Sequence, residues 1–310
     1  MSAPLNGFLV IDKPSGWTSH DVVAKIRRLV RGTKVGHGGT LDPMATGVLP
    51  VALGKGTRVL GYLQDADKAY RAVMRLGVTT DTLDITGQVV RECPVDGVSP
   101  ERVREVIDGF RGPLMQTPPL YSAIKKDGVP LYKLARQGVE VERQPRAVEI
   151  HRLEITDIDV PLVSFDVSCS KGTYIRSLCH DIGEALGTGA CLESLVRTQA
   201  GPFRMENAVG MEELLGLAQD GRIGEVLIPL SAELIGLRCV ELTEDGVNLV
   251  RHGSPLTRES VAAVDGVFSE GDRVALTSGT GELLAVGRAV ASFDGHTGEG
   301  PILKPEKVFV

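Results

Sequence analysis

Residues 36–50 hold the side chains whose types and spacing best suit chemistry. The run gathers four glycines, two prolines, His37 and Asp42 within fifteen positions. Turn-forming residues at this density indicate a fixed loop, and Pro43 biases Asp42 towards an extended backbone. The apolar segment 48–53 that follows is predicted to be buried. The sequence therefore predicts a carboxylate carried on a stiff turn at the edge of the core, as an active-site acid would be.

Other interpretations of the glycine-rich runs fit their spacing less well. An isolated Asp-Pro pair would indicate an Asx-turn or a helix cap with no chemistry. A P-loop needs Ser or Thr after Gly54-Lys55, where Gly56 stands. A dinucleotide fingerprint that begins at Gly36 needs glycine where Leu41 stands. Both phosphate-binding loops are excluded.

The cysteines and a second acidic run are predicted to be structural. The five cysteines are odd in number and form no CxxC pair, which indicates reduced thiols and argues against a disulfide framework or a structural zinc. Cys179, His180 and Asp181 are adjacent on a predicted helix and point in different directions, so a buried thiol beside polar residues is expected. The acidic run 80–87 has the Thr and Gly spacing of a turn rather than of a metal site.

Length and composition bound the class of protein. At 310 residues with 42% apolar residues, the chain suits about two domains with real cores. No apolar run reaches the roughly 18 residues of a membrane span, and the first residues lack the pattern of a secretory signal. A cytoplasmic protein is therefore expected.

The charge is unevenly distributed along the chain. The net charge is −6, yet residues 12–37 carry six basic and two acidic residues, and residues 121–152 carry seven and four. Residues 237–310 carry seven basic and eleven acidic residues. Two positive segments are able to line a groove for nucleic-acid phosphates while the acidic residues lie elsewhere.

The elements predicted around the loop mix helices and strands. Strands are expected at 8–11, 68–78, 148–160 and 162–170, with Tyr70 on an apolar face of the second. Helices are expected after Ser19 or a neighbour, after Ser99, and after Gly172-Thr173 as a cap, with Arg176 just inside the last and off its apolar stripe. The irregular segment 118–146 suits a loop that closes on a ligand. Beyond a boundary near 229–236, short strands broken by glycines predict a small β-barrel.

Five motifs in this order resemble the TruB family of pseudouridine synthases over essentially the whole chain. They are Asp12-Lys13-Pro14-x-Gly16, the run 36–50, Asp67-Lys68-x-Tyr70, Pro118-Pro119-x-Tyr121-Ser122-Ala123-x-Lys125 and Ser170-Lys171-Gly172-Thr173-Tyr174-Ile175-Arg176. Gly38 departs from the family, which more often has Thr or Ser there. The resemblance implies an α+β pseudouridine synthase fold, a mixed and mainly antiparallel sheet flanked by helices and loops, over residues 1–232. It also implies an RNA-binding insert at about 118–146 and, at 237–310, a PUA-like RNA-binding domain that is a small β-barrel.

The resemblance also implies an activity, the conversion of the T-loop uridine at tRNA position 55 to pseudouridine. The N1–C1′ bond breaks, the uracil turns over, and C5 bonds to C1′. Asp42 is then the essential carboxylate, acting on the sugar, acting on the base or assisting elimination. Arg176 beside it is expected to lower its pKa and aim it. Tyr70 is expected to receive the flipped base on its aromatic face and to assist proton removal.

Further contacts to the substrate follow from the same motifs. His37 is expected to fill space near the flipped base, and Lys13 to brace the catalytic loop or a phosphate. The matched motifs add Tyr174, Lys171, Tyr121 and Lys125 as substrate-binding positions. The reaction is redox-neutral, so we expect no cofactor and no metal, with tRNA as the partner of a monomer that needs no other protein.

Three alternatives remain at this point. One is the archaeal and eukaryotic relative that works with a guide RNA and partner proteins, which usually carries basic tails that this sequence lacks. Another is a tRNA-folding chaperone that does no chemistry, and catalysis and folding are able to coexist. A third is a hydrolase with Asp42 and His37 as an acid–base pair, although no Ser or Cys nucleophile motif supports it.

Overall fold

The apolar run at the start of the chain becomes an inner strand of a large mixed sheet. The computed structural model describes residues 5–126, 128–139, 141–293 and 300–310. The strands in these ranges are β1 (Gly7–Lys13), β2 (Val35–His37), β3 (Thr46–Leu53), β4 (Lys68–Leu76), β5 (Val78–Thr80), β6 (Val89–Glu92), β7 (Gly112–Gln116), β8 (Lys125–Lys126), β9 (Val129–Pro130), β10 (Arg146–Asp159), β11 (Leu162–Cys169), β12 (Ala190–Ala200), β13 (Phe203–Arg204), β14 (Val209–Gly210), β15 (Arg238–Leu242), β16 (Leu256–Thr257), β17 (Val261–Val264), β18 (Arg273–Thr277), β19 (Leu283–Ala289) and β20 (Pro301–Val308). The helices are α1 (Ser19–Leu29), α2 (Leu60–Leu63), α3 (Pro100–Asp108), α4 (Leu131–Arg136), α5 (Ile175–Leu186), α6 (Met211–Gln219) and α7 (Glu244–Arg251).

The large sheet has the strand order β14-β1-β3-β12-β4-β11-β10-β7, with β2 beside β3 and β13 beside β12. Most neighbours are antiparallel, whereas β1–β14 and β3–β12 are parallel. Strand β3 is buried from Gly47 to Leu53, as its apolar sequence predicts. Strand β4 buries Tyr70, Ala72, Met74 and Leu76, which is the alternation expected of a strand with one face on the core.

Two helices flank this sheet beside the candidate loop. Helix α1 begins with a capping box in which the Thr18 side chain accepts from the Asp21 amide and the Asp21 carboxylate accepts from the Thr18 amide. Helix α5 begins at Ile175 with Tyr174 in the N-cap position, so the cap predicted at Gly172-Thr173 is wrong. The Thr173 hydroxyl instead donates to the Ser170 carbonyl at 2.9 Å and closes the turn before the helix.

The segment predicted to be an irregular insert is built from a short β8–β9 hairpin and helix α4. Asp127, Glu140 and the side chain of Arg136, which contribute to the predicted charge of this segment, lie outside the described residues. None of the described helices has the length and apolar character needed to cross a membrane.

The C-terminal strands form a barrel-like sheet of order β16-β20-β19-β18-β15-β17. Its apolar side chains do not pack only among themselves. Phe309, Ala275 and Val286 share a buried cluster with Phe8 and Val10 of β1. The mixed main sheet with flanking helices and this smaller β-structure confirm the predicted fold class, and we propose residues 1–232 and 237–310 as the domain limits.

Candidate active site

A pocket of about 260 Å³ opens where the candidate loop, β4, β12 and the start of α5 meet. Its lining residues are Gly39, Thr40, Leu41, Asp42, Lys68, Tyr70, Ser122, Ala123, Gly172, Thr173, Tyr174, Ile175, Arg176, Leu195 and Arg197. Segments from four of the five sequence motifs therefore contribute to one cavity. The three predicted catalytic residues, Asp42, Tyr70 and Arg176, all line it.

Asp42 and Arg176 form the central contact of the pocket. The Arg176 Nη2 atom donates to Asp42 Oδ1 at 3.1 Å, and Nε lies 2.8 Å from Oδ2. The Arg176 side chain is 4% exposed, whereas that of Asp42 is 35% exposed. The guanidinium thus holds both carboxylate oxygens from the protein side while the carboxylate faces the pocket.

Arg176 is itself held by backbone carbonyls from two loops. Its Nη1 donates to the Thr82 carbonyl at 2.9 Å and its Nη2 to the Tyr121 carbonyl at 2.8 Å. Sequence periodicity predicts an exposed arginine off the apolar stripe of α5, but the side chain is buried. The reason is tertiary, because the turn after β5 and the insert close over the first turn of the helix.

Partial burial raises the pKa of the Asp42 carboxyl above its ordinary range. Arg176 and Lys13 lower this pKa, and the neighbouring Asp84 raises it. The expectation that Arg176 lowers the pKa is correct for the pair, but the net direction is upward because removal from water has the larger effect. The hydrogen bond from Arg176 Nη2 and the adjacent positive charge favour the ionised carboxylate.

Asp84 is a buried acid near this pair that the sequence did not single out. Its Oδ2 lies 3.8 Å from Arg176 Nη1, and its Oδ1 accepts from the Thr82 hydroxyl at 2.9 Å and the Thr86 amide at 3.0 Å. Residues 80–87 therefore form the predicted turn, which presents one carboxylate to Arg176. Among the described residues, no group of three or more His, Cys, Asp and Glu side chains is arranged to hold a metal ion.

Arg197 braces the candidate loop from beneath and was also missed by sequence reasoning. It is 1% exposed, and its guanidinium donates to the carbonyls of Val48 at 2.7 Å, Gly39 at 3.2 Å and Thr40 at 3.3 Å. A lone arginine in a strand carries no local signal of such a role. Its position on β12, parallel to β3, brings it under the loop.

Lys13 connects the middle of the candidate loop to the loop that follows β1. Its buried ammonium donates to the carbonyls of Trp17 at 2.7 Å, Pro14 at 2.9 Å and Pro43 at 3.2 Å. Burial lowers the pKa of Lys13 to about 8, and the nearby Asp42 opposes this shift. Of the two roles expected for Lys13, these contacts favour bracing the loop over binding a phosphate.

Tyr70 lies on β4 with its side chain almost fully buried at the pocket. Burial raises the pKa of its phenol to about 12, and the positive charge of the nearby Arg197 side chain acts in the opposite direction. The phenol is therefore protonated at neutral pH. It presents an aromatic face and a hydroxyl to the pocket, which Arg197 also lines.

The remaining predicted substrate contacts are distributed around the rim. Tyr174 lines the pocket, and burial raises its pKa. Lys171 precedes the lining residue Gly172 and pairs with Asp65 at 2.7 Å. Tyr121 contributes its carbonyl to Arg176, and Lys125 is exposed on β8. His37 lies on β2 outside the described lining, half-buried, and burial lowers its pKa.

Three protein-family models match consecutive parts of the chain. Residues 27–175 match the model for the TruB family pseudouridylate synthase N-terminal domain, and residues 176–234 match the model for the tRNA pseudouridylate synthase B C-terminal domain. Residues 240–294 match the PUA domain.

Individual relatives and solved structures agree with these models. The chain is 52% identical to the tRNA pseudouridine synthase B of Geobacter sulfurreducens over 257 residues, which are 83% of this chain and 84% of the relative. It is 46% identical to the enzyme of the same name from Geotalea uraniireducens over 304 residues, 98% and 96% of the two chains. Among solved structures, a Cbf5-Nop10-Gar1 complex matches with a TM-score of 0.78 and 34% identity, over 99% of this chain and 85% of that one. An H/ACA RNP bound to a substrate RNA matches with a TM-score of 0.77 and 31% identity, over 98% and 85%.

Proposed function

Because this chain belongs to the TruB family of pseudouridine synthases and is an isomerase that forms pseudouridine in tRNA, we propose that its target is the T-loop uridine at position 55. The observation that carries the proposal is the Asp42–Arg176 pair at the base of the pocket. The reaction breaks the N1–C1′ bond, turns the uracil over and joins C5 to C1′. It needs an anionic group held beside the glycosidic bond, and this pair provides one.

We assign the central role to the Asp42 carboxylate. Attack on the sugar, attack on the base and assistance to elimination all require an ionised carboxylate with a defined direction. Arg176 supplies that direction because it contacts both carboxylate oxygens and is itself held by the carbonyls of Thr82 and Tyr121. A preformed contact of this kind avoids the cost of orienting the carboxylate during the reaction.

The target uridine has to leave its stack to reach this carboxylate. A nucleotide that is stacked inside a folded T loop cannot bring its glycosidic bond to a carboxylate in a pocket, so the nucleotide is flipped out. Tyr70 offers an aromatic face to the flipped base. Its hydroxyl is protonated at neutral pH, so it assists removal of the C5 proton, which restores the aromatic uracil, as a hydrogen-bonding relay and not as the base itself.

We further propose that the enzyme acts without a guide RNA or an obligate protein partner and is a cytoplasmic monomer. The two relatives reported above as tRNA pseudouridine synthase B share 46% and 52% identity with this chain, whereas the matched chains in the Cbf5-Nop10-Gar1 complex and the H/ACA RNP share 34% and 31%. A tRNA chaperone that only binds is the competing function. It predicts that the Asp42 carboxylate is dispensable.

A single-turnover assay tests the proposal. Unmodified tRNA transcript is mixed with excess protein alone in the presence of EDTA, and pseudouridine is mapped by chemical adduct formation. Product is expected at position 55, and none is expected in a transcript with cytidine at that position. Absence of product from the unchanged protein, while tRNA still binds, would favour a guide-dependent enzyme or a chaperone.

Two matched variants assign the chemistry within that assay. Asp42→Asn should abolish turnover while tRNA affinity stays within a few-fold, and Asp108→Asn, an exposed acid on α3, should behave as the unchanged protein. Tyr70→Phe keeps the aromatic face and removes the hydroxyl, so binding should survive while the rate of product formation falls. Appreciable turnover by Asp42→Asn would remove this residue from the central role.

A further inference from the structure

The side-chain amide of Gln116 pairs with the main chain of Tyr174 at the start of α5. Its Nε2 donates to the Tyr174 carbonyl at 3.0 Å, and its Oε1 accepts from the Tyr174 amide at 2.7 Å. The two residues are 58 positions apart, and Gln116 is 3% exposed at the end of β7. A buried amide that meets both main-chain groups of one residue holds that residue in a fixed position.

The start of α5 depends on this contact from the sheet. Tyr174 occupies the N-cap position with an extended backbone, and its side chain makes no capping hydrogen bond within the described part of the chain. Its carbonyl accepts from the Leu178 amide at 3.0 Å, which is the first hydrogen bond of the helix. Gln116 holds the same carbonyl from the end of β7. The position of β7 therefore determines where the helix begins.

The chemistry of this contact requires a side-chain amide. The main-chain amide of Tyr174 is a donor and its carbonyl is an acceptor, so the partner must accept with one atom and donate with another. An ionised carboxylate accepts only, a thioether has no donor, and the asparagine side chain is one methylene shorter. Glutamine therefore fits position 116, and these other side chains do not.

The helix start held in this way carries Arg176. This arginine is two residues beyond Tyr174, in the first turn of α5, and it contacts both carboxylate oxygens of Asp42. The next residue is attached to the same segment, since the Ser177 hydroxyl donates to the Thr117 carbonyl at 2.9 Å. The end of β7 and the residue after it thus hold the first turn of the helix at two points. A shift of this turn would move the guanidinium relative to the carboxylate.

We propose that Gln116 is a positioning residue for pseudouridine formation, which acts through the start of α5 on the contact between Arg176 and Asp42. This inference rests on the roles proposed above for those two residues. Gln116 is not among the described residues that line the pocket, so a change there reaches the reaction through the geometry of Arg176. The competing role is support of the fold alone, which predicts that a folded variant keeps the full rate.

Gln116→Met tests the proposal, because methionine has about the same length and lacks the amide. The single-turnover rate on unmodified tRNA should fall about 10- to 100-fold, since misplacing a catalytic group by about 1 Å reduces a rate by up to roughly 100-fold. The tRNA dissociation constant from filter binding should change little, because Gln116 lies outside the pocket lining.

The pH dependence of the rate is the measurement that a purely structural role would not change. Loss of activity at low pH should begin at a higher pH in Gln116→Met than in the parent. The reason is that Arg176 lowers the pKa of the Asp42 carboxyl, and a displaced guanidinium lowers this pKa less. Lys13 and Asp84 also act on this pKa, but neither lies on α5.

Gln116→Glu tests the hydrogen-bonding pattern with almost no change of shape. The neutral acid accepts and donates as the amide does, whereas the ionised carboxylate only accepts. The ratio of the variant rate to the parent rate should therefore be closest to one at acid pH and fall as the introduced carboxyl ionises. Burial opposes this ionisation, and Arg146, opposite position 116 on β10, favours it.

Leu214→Ala is the control for lost stability, because it removes buried methyl groups on α6. It should lower the unfolding temperature while the rate and its pH dependence stay as in the parent, at a temperature where all the proteins are folded. Circular dichroism in the assay buffer establishes which variants are folded.

The proposal is overturned if folded Gln116→Met keeps the parent rate and pH dependence, or if the ratio for Gln116→Glu does not change with pH. A loss of rate that coincides with unfolding would also overturn it, because that is the result expected of fold support alone. Failure of the proposed function is a different result. It would appear as missing product from the unchanged protein or as turnover by Asp42→Asn, whatever the Gln116 variants do.

Discussion

Arg176 contacts both carboxylate oxygens of Asp42, although the two residues are 134 positions apart in the chain. One lies in the turn between β2 and β3, and the other lies in the first turn of α5. Arg176 also donates to two loop carbonyls and lies 3.8 Å from Asp84. Arg176 thus connects the segments that carry Asp42, Thr82 and Tyr121. Its replacement should reduce the rate of the reaction more than it reduces the affinity for RNA.

Arg176→Lys keeps the positive charge and removes the fork that holds both oxygens. An ammonium contacts a carboxylate as a point charge, so Asp42 loses its defined direction. We expect the single-turnover rate to fall by roughly 10²–10³, the range seen when a preorganised donor is removed from a catalytic site. The tRNA dissociation constant should change by less than a few-fold, as measured by filter binding.

Asp84→Asn tests the outer part of the same arrangement. The amide keeps the hydrogen bond from the Thr86 backbone and loses the charge beside Arg176. We expect a smaller loss of rate than in Arg176→Lys, with unchanged tRNA affinity. A variant with the full rate would show that the Asp84 charge does not help to place Arg176.

The pH dependence of the reaction rate should follow the ionisation of the Asp42 carboxyl. Burial raises the pKa of this carboxyl, and the anion is the active form, so activity is lost as pH falls through the raised pKa. The acid limb of the single-turnover rate should therefore have a slope of one proton and lie above the range of an ordinary aspartate. Because Arg176 lowers this pKa, Arg176→Lys should leave the limb in place or move it upwards. A rate that is flat down to the pH of acid unfolding would contradict the assignment.

Substitution of Lys13 should lower the stability of the fold, whereas substitution of Lys125 should weaken RNA binding. Lys13→Met leaves the carbonyls of Pro14, Trp17 and the catalytic-loop residue Pro43 without their buried donor, which costs roughly 1–3 kcal/mol for each group left unpaired. We expect a lower unfolding temperature and an unchanged salt slope of binding. Lys125→Met, at an exposed position of the insert, should do the reverse and reduce the slope by about 0.7–0.9. A reduced slope in Lys13→Met would show that this lysine contacts a phosphate.

Alanine substitutions at Gly47 and Gly32 should distinguish the cost of a steric clash with a neighbouring strand from the cost of backbone strain alone. Both have positive φ, 97° and 81°. An added Cβ at Gly47 would lie 2.3 Å from the Arg197 carbonyl oxygen on β12, whereas at Gly32 it would meet no atom within 4 Å. Gly32→Ala should therefore cost only about 1–2 kcal/mol of unfolding free energy. Gly47→Ala should cost clearly more and slow the reaction, because β3 and β12 can no longer approach. Chemical denaturation of both variants provides the measurement, and equal losses would contradict this explanation.

The sequence alone determined the family and the fold class, and it predicted three catalytic residues, Asp42, Tyr70 and Arg176, that line one pocket. Motifs of this length have few alternative meanings, and periodic apolar residues define β4 and α1 because local patterns specify which face is buried. The tertiary structure decided what no local pattern contains. The Arg176 side chain is buried because two distant loops cover it, and Asp84 becomes an electrostatic neighbour of the site because its turn is placed there. Arg197 supports the catalytic loop only because β12 runs parallel to β3, a pairing between segments about 150 residues apart. Long-range pairings of this kind depend on how the sheet is assembled, and the residues that hold an active site from beneath are therefore those that the sequence signals least.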